Sequence, residues 1–313
     1  MTPVDAPPEP QSAPSADSSL SFLISELTKP GLTGLVIFAT GAGFLLGFFQ
    51  EANASFDGQS FLALIGTAIG TTLVAACSSI LTQLKEADRD RRMERTKSRP
   101  LATGEVTPST ARISAVACGG FGIAIILLVT KTPVACLLAI ASLVTYVWVY
   151  TPMKPRSTTN TLIGAVPGAL PPLIGWAAAR GELDPGAMVL FGILFLWQIP
   201  HFLAISWIYK DDYGRGGFQM LSVLDETGER TSQMAILYAL TLIPMTWIAP
   251  MFGLGGIGYW CGATLLGGYQ LLAAIRFRRR RDKTSARALF RASIIYLPVI
   301  LFLMILDPGS PRF

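Results

Sequence analysis

The residues of this chain that can do chemistry fall in three short polar stretches set among long apolar ones. The first runs from Thr82 to Pro100. On a helix continuing through it, Thr82, Glu86, Asp90 and Glu94 recur every four residues and stack along one face. Stacked carboxylates repel unless a cation lies among them. Hard oxygen ligands suit Mg²⁺, which keeps several waters and is shared with substrate phosphates. Arg95, Lys97 and Arg99 follow at once, as a bound diphosphate requires. The competing reading is a solvated helix held by Glu–Arg pairs, and spacing alone leaves both open.

The second stretch, Tyr209 to Met220, places Asp211 and Asp212 directly after an apolar run, with Arg215 close by. These acids could complete a second metal site, although Asp-Asp in a loop is a weak signal on its own. Between the two lies Tyr150-Thr-Pro-Met-Lys154-Pro-Arg156, which adds two bases. His201 is the only histidine, within Trp197-Gln-Ile-Pro-His201-Phe202 inside an apolar run. Ionisable groups at membrane depth are costly and tend to be functional; a lone histidine there is also a common interhelical hydrogen-bonding group.

The elements that position these residues follow from composition. Only 14% of the 313 residues are charged, 51% are hydrophobic and mean hydropathy is +0.49, whereas a soluble domain carries roughly 25% charged residues. That excludes a soluble globule and a disordered chain. The long unbroken apolar runs exclude a membrane barrel, whose strands alternate over about ten residues. Runs near the required length of about 20 residues lie at 30–49, 60–82, 111–130, 132–151, 160–179, 186–208, 232–252, 254–275 and 288–306. The expected fold is all-α, a polytopic membrane domain over 30–306 with about nine transmembrane helices around a central substrate chamber. Pro167, Pro171 and Pro172 cannot all sit in an intact helix, so the fifth run must break. Broken backbone at membrane depth is tolerated inside protein or beside a cavity, and the chamber is expected there. Gly43/Gly47, Gly66/Gly70 and Gly164/Gly168 have the spacing of close helix crossings.

Nine spans partition the bases sharply. Lys29, eight bases in 85–112, two in 154–156, three in 210–230 and eight in 276–291 share one side. Lys131, Arg180 and Arg312 fall on the other. Cytoplasmic loops hold the Lys and Arg, so the N-terminus is expected in the cytoplasm and the C-terminus, with the short tail 307–313, outside. The net charge of +5 therefore marks topology and calls for no nucleic-acid partner. Residues 1–29 are rich in Pro, Ala and Ser, with acids before the first base. They suit neither a signal peptide nor a transit peptide and are expected to be a disordered cytoplasmic tail. The cysteines, Cys77, Cys118, Cys136 and Cys261, show no ligand or disulfide spacing.

Three strings, in order, give a resemblance. They are Met93-Glu-Arg-Thr-Lys-Ser-Arg-Pro100 after the acidic helix, Tyr150-Thr-Pro-Met-Lys154 with Gly168-Ala-Leu-Pro-Pro-Leu-Ile-Gly-Trp176, and Trp197-Gln-Ile-Pro-His-Phe202 continuing to Asp212-Tyr-Gly-Arg-Gly-Gly. From about residue 25 to 306 the chain resembles the protoheme IX farnesyltransferases (haem O synthases) of the membrane-embedded aromatic prenyltransferase superfamily. Glu86 and Asp90 match the family pattern; Thr82 stands where Asn is usual, and Pro155 where a base commonly follows Lys154.

The resemblance implies a Mg²⁺-dependent transfer of farnesyl from farnesyl diphosphate to a vinyl group of haem B, with water, giving haem O and diphosphate. It implies Glu86, Asp90, Asp211 and Asp212 as metal ligands, and Arg95, Lys97, Arg99, Lys154 and Arg156 as diphosphate bases. Tyr150, Lys154, Glu86, Asp90 and Asp212 form the catalytic set, and His201 and Trp197 face haem, which is substrate rather than resident cofactor. The implied location is the inner membrane of a bacterial cell, in contact with the lipid bilayer and upstream of haem A synthase. Two other readings fit less well. Prenylation of a quinone precursor gives no reason for the His201 string, and a multispan transporter uses broken helices without needing acids and bases gathered at one face.

Overall fold

The computed structural model describes residues 30–51 and 55–309. The expected tail over 1–29 lies outside them, as does 310–313 of the expected external tail. Nine long helical segments among the described residues cover the nine apolar runs. They are α1 (Pro30–Phe49), α2 (Gly58–Asp90), α3 (Pro108–Thr130), α4 (Pro133–Met153), α5 (Asn160–Arg180), α6 (Pro185–Ile208), α7 (Glu229–Phe252), α8 (Ile257–Arg280) and α9 (Lys283–Leu306). The described residues contain no strand.

Seven of the nine, α2 to α7 and α9, are long and apolar enough to cross a membrane. In α1 the apolar helix is the shorter Thr33–Phe49. In α8, Gly258, Gly262, Gly267, Gly268, Tyr259, Tyr269 and Gln270 dilute the apolar content before the arginines begin. The expected count of nine thus stands at seven by length and composition. Large apolar side chains such as Ile113, Val116, Leu128, Leu137 and Leu265 are exposed on the outside. A surface this apolar is suited to lipid.

Local chemistry sets the helix ends. Asp57, Asp184 and Asp282 accept the backbone N–H groups of Ser60, Ala187 and Ser285, capping α2, α6 and α9. Pro108, Pro133 and Pro185 occupy first turns, where no donor is lost. Each such side-chain cap is worth about 1 kcal/mol.

Two helices are irregular where the sequence is. Helix α5 breaks at Ala169–Leu170, between Asn160–Gly168 and Pro171–Arg180. Gln198 Nε2 donates to the Ala165 carbonyl at 2.8 Å, and Ser142 Oγ donates to the Pro167 carbonyl at 3.3 Å. The break that the prolines predict is present, and neighbouring side chains from α6 and α4 cover its carbonyls. Helix α4 widens to a π turn over Thr145–Tyr150. There Thr151 Oγ1 donates to the Tyr146 carbonyl at 2.8 Å, and Lys85 Nζ from α2 donates to the Val147 carbonyl at 2.9 Å.

Glycines set how closely the helices cross. α1 packs on the second half of α5, α2 packs on α3, and α6 to α9 pack together. A Cβ added at Gly43 would sit 2.0 Å from the Pro172 carbonyl oxygen, and one at Gly175 would sit 1.9 Å from that of Thr40. The α1–α5 crossing is therefore backbone against backbone. Gly70 and Gly122 make the α2–α3 crossing in the same way, an added Cβ at either lying within 2.7 Å of the other's carbonyl.

Gly175→Ala should cost about 1–3 kcal/mol or more by overpacking and lower the melting temperature in detergent. Gly268→Ala, whose Cβ meets nothing within 4 Å, should leave it unchanged. Equal melting curves for the two variants would contradict the crossing.

Candidate active site

Helix α2 carries the acidic face past the apolar run and stops at Asp90. Thr82, Glu86 and Asp90 are buried on one side of it, as the four-residue spacing predicts. Glu94 does not continue the stack: the chain has turned, and Glu94 is exposed and paired with Lys97. The reason is a contact 118 residues away in sequence. The Asp212 carboxylate accepts the backbone N–H of Glu94 at 2.9 Å and of Arg95 at 3.2 Å, so the chain after Asp90 is held as a loop.

The buried acids are each matched by a base. Lys154 Nζ lies 2.9 Å from Glu86 Oε1 and hydrogen-bonds Oε2 at 3.2 Å, and Arg99 donates to Asp90 Oδ2 at 2.8 Å. Burial works against the Lys154 ammonium, but the Glu86 carboxylate outweighs it and holds the lysine above its usual range. The Lys154 ammonium also lies 4.7 Å from the Tyr150 ring centre and 5.9 Å from that of Phe218. Tyr146 meets Tyr150 edge to face at 5.2 Å. Thr82 Oγ1 lies 3.1 Å from Thr151 Oγ1, which ties the acidic helix to that turn.

The second polar stretch closes over the first. Arg89 donates to the Gly216 and Gly217 carbonyls at 2.9 and 3.0 Å. The Arg95 guanidinium lies 5.1 Å from the Tyr209 ring and 5.8 Å from that of Tyr213. Gln219 N–H donates to the Lys154 carbonyl at 2.8 Å, bringing in the third polar stretch. Met93, Phe218 and Met220 are buried together beneath these contacts. Burial would raise the Asp212 carboxyl, but the Glu94 N–H, the Arg215 guanidinium and the Arg95 N–H hold it below the ordinary carboxylate range.

The structure thus gathers Glu86, Asp90, Arg99, Lys154 and Tyr150 and ties Asp212 to the loop that bears Arg95. It does not gather the rest. Asp211 faces outward and pairs with Lys283 at 2.9 Å, with its carboxyl lowered chiefly by that hydrogen bond. Lys97 and Arg156 are exposed. No group of three or more His, Cys, Asp or Glu side chains lies together among the described residues, so the four acids of the expected metal set are not one cluster. Glu86 and Asp90 nevertheless suit a hard cation. Both offer buried oxygen donors one helical turn apart, and Asp90 Oδ1 is buried without a hydrogen-bond partner. Two carboxylates leave coordination places for water and phosphate oxygens, the usual state of bound Mg²⁺.

His201 lies in α6, away from the acids in sequence. Its Nδ1 is 2.8 Å from Ser293 Oγ on α9, and Trp197 Nε1 donates to the Ser293 carbonyl at 2.8 Å. The ring is flanked by Trp197 at 5.4 Å, Phe290 at 4.9 Å and Phe202 at 5.7 Å. Anchoring one imidazole nitrogen fixes the ring and leaves Nε2 without a hydrogen bond among the described residues. Sequence reading missed Ser293, Tyr146, Lys85 and Phe218. Tyr146 precedes Tyr150 by four residues, a legible signal; Ser293 is 92 residues from its partner and has none.

The sequence matches the UbiA prenyltransferase family over residues 36–296. A protoheme IX farnesyltransferase of Solibacter usitatus is 40% identical over 287 residues, spanning 91% of this chain and 98% of that protein. Among solved structures, a digeranylgeranylglyceryl phosphate synthase superposes with a TM-score of 0.70 at 14% identity, covering 92% of this chain and 98% of the other. A UbiA homologue from Archaeoglobus fulgidus bound to GPP and Mg²⁺ gives 0.59 at 16% identity, covering 90% and 99%. At those identities the two structures speak to the fold. Together with the matched sequence, they show that the chain belongs to the UbiA prenyltransferase family and, within it, to the protoheme IX farnesyltransferase group.

Proposed function

We propose that this protein transfers the farnesyl group of farnesyl diphosphate to a vinyl carbon of haem B, yielding haem O and diphosphate. The observation that carries the reading is the pair of buried ion pairs, Glu86–Lys154 and Asp90–Arg99, at the end of a membrane helix. Acids for a metal and bases for a diphosphate meet there at one depth. The relative of Solibacter usitatus, similar over nearly its whole length, supports haem as acceptor, as does His201.

Glu86 and Asp90 would hold Mg²⁺, which when bound would neutralise the diphosphate leaving group as a Lewis acid. Lys154 and Arg99 each carry a positive charge next to those carboxylates and turn it to phosphate oxygens when substrate enters. Arg95, exposed but braced by Tyr209 and Tyr213, adds to the same field; Lys97 and Arg156, exposed without such ring contacts, act on the approach. Asp212 holds the Arg95 loop in position, whereas Asp211, paired with Lys283 at the surface, takes no part in the metal site. As the allylic C–O bond breaks, the electron pair leaves with diphosphate. The Tyr150 and Tyr146 faces stabilise the positive charge left on the farnesyl carbon.

The haem vinyl group then attacks that carbon, forming the new C–C bond. Bond formation at the outer vinyl carbon leaves the positive charge on the inner one, and water adds there and loses a proton, which gives the hydroxyethylfarnesyl substituent. A dry chamber among the helices delays capture of the allylic cation by water. His201, oriented by Ser293 and stacked on Trp197, presents Nε2 to the haem iron. We place the protein in the inner membrane of a bacterial cell, its N-terminus and polar loops cytoplasmic and its C-terminus outside, with haem A synthase as the consumer of the product.

Asp90→Ala should lower turnover roughly a hundredfold or more, the scale of losing one charge-stabilising group, while the protein remains monodisperse in detergent. A variant with near-normal activity would remove Asp90 from the site. His201→Ala should shift the absorption spectrum of bound haem B, and an unchanged spectrum would remove His201 as the iron's neighbour.

A further inference from the structure

The turn between α8 and α9 carries a charge pattern that the active site leaves unused. Residues 276–291 hold seven arginines and one lysine against a single acid, Asp282, whose carboxylate is engaged in capping α9. Arg278 pairs with Glu229 and Lys283 with Asp211, which ties this turn to the α6–α7 loop and so to the same end of the molecule as the site. Arg276, Arg280, Arg287 and Arg291 are exposed and none forms an ion pair among the described residues, although Arg280 lies near enough to Asp282 to help lower its carboxyl pKa. Arg291 makes only a 3.4 Å contact with the Arg287 carbonyl.

Their placement along the helices selects what they face. On α8, Leu265, Tyr269 and Leu272 are exposed apolar residues on the outer surface, and Arg276 and Arg280 continue that row at helical spacing. On α9 the same order runs in reverse. Arg287 and Arg291 lead into Ile295, Val299 and Phe302, again exposed and in register. Each row therefore passes from side chains that suit hydrocarbon to guanidinium groups within about one turn, 5.4 Å. That is the boundary at which phospholipid phosphates lie. Guanidinium also matches phosphate oxygens two at a time.

We infer that the α8–α9 turn is a binding surface for anionic phospholipid headgroups, formed by Arg276 and Arg280 from one helix and Arg287 and Arg291 from the next. A solvated positive face that only marks topology would not need its arginines in line with the lipid-facing rows of both helices. The inference stands apart from the prenyl-transfer reading, because none of the four arginines belongs to the site.

The test uses the full-length protein in phosphatidylcholine vesicles containing spin-labelled phosphatidylglycerol or spin-labelled phosphatidylcholine. The immobilised fraction of each label is read by electron paramagnetic resonance. The wild-type protein should prefer the anionic label by about fivefold, since a juxtamembrane base adds about that factor. The combined variant Arg276→Gln, Arg280→Gln, Arg287→Gln and Arg291→Gln should lose most of the preference, and the corresponding four Lys variant should keep part of it. Millimolar inorganic phosphate should not displace the label. Arg92→Gln with Arg230→Gln, which removes charge from the same side elsewhere, should leave the preference intact. No preference in the wild type, equal loss in the Arg92/Arg230 variant, or displacement by free phosphate would each overturn the inference. Circular dichroism of the four-fold Gln variant checks its fold, and the Lys variant keeps the test decisive if the Gln variant does not fold.

Discussion

Two acids cannot lie buried at the end of a membrane helix unless opposite charge is held beside them. Glu86 is 6% exposed and Asp90 1%, and breaking a buried ion pair by removing one partner costs about 3–5 kcal/mol. Much of the polar end of the molecule follows from that constraint. Lys154 must come from α4, so α4 and the chain after it are fixed against α2. Arg99 must return to Asp90, so the chain after α2 folds back on itself. Asp212 then fixes the N–H groups of that returning loop, and Arg89 fixes the α6–α7 loop to α2. The chemistry proposed for the site uses the same charges: bases that neutralise carboxylates at rest are already placed where a metal-bound diphosphate would arrive.

The apolar part of the fold obeys a different rule. In a membrane no hydrophobic drive joins one helix to another, so close van der Waals contact and satisfied backbone groups decide the packing. Gly43 against Pro172, Gly175 against Thr40, and Gly70 against Gly122 make that contact backbone to backbone. Where the helices are irregular, side chains from other helices complete the hydrogen bonding, Gln198 and Ser142 at the α5 break and Lys85 at the wide turn of α4. The Lys85 contact holds the turn that carries Tyr146 and Tyr150.

Much of this was legible in the residues. The four-residue spacing of Thr82, Glu86 and Asp90, the glycine pairs and the proline break each follow from local geometry, and each is found. Glu94 was not legible, because its departure from the stack depends on Asp212, far along the chain. The same holds for Asp211, whose sequence neighbour faces the site while it faces Lys283; the two lie on the short helix Lys210–Arg215, where adjacent residues point about 100° apart, and only the fold decides which points inward. Ser293 beside His201 carries no local mark at all. The count of about nine spans is matched at seven by length and composition, the other two helices being α1, whose apolar part is the shorter Thr33–Phe49, and α8, whose glycines, tyrosines and Gln270 dilute its hydropathy.

Activation of farnesyl diphosphate toward haem by the paired charges at the end of α2, Glu86 with Lys154 and Asp90 with Arg99, is the core of the proposed reaction. Its most direct test is to incubate the purified protein with haem B and farnesyl diphosphate, with Mg²⁺ present or chelated, and to determine the mass of the extracted haem. With Mg²⁺ the haem should gain the mass of one farnesyl group and one hydroxyl, and in the chelated sample it should stay unaltered. Unaltered haem in both samples from folded protein, or the same product after chelation, would contradict it.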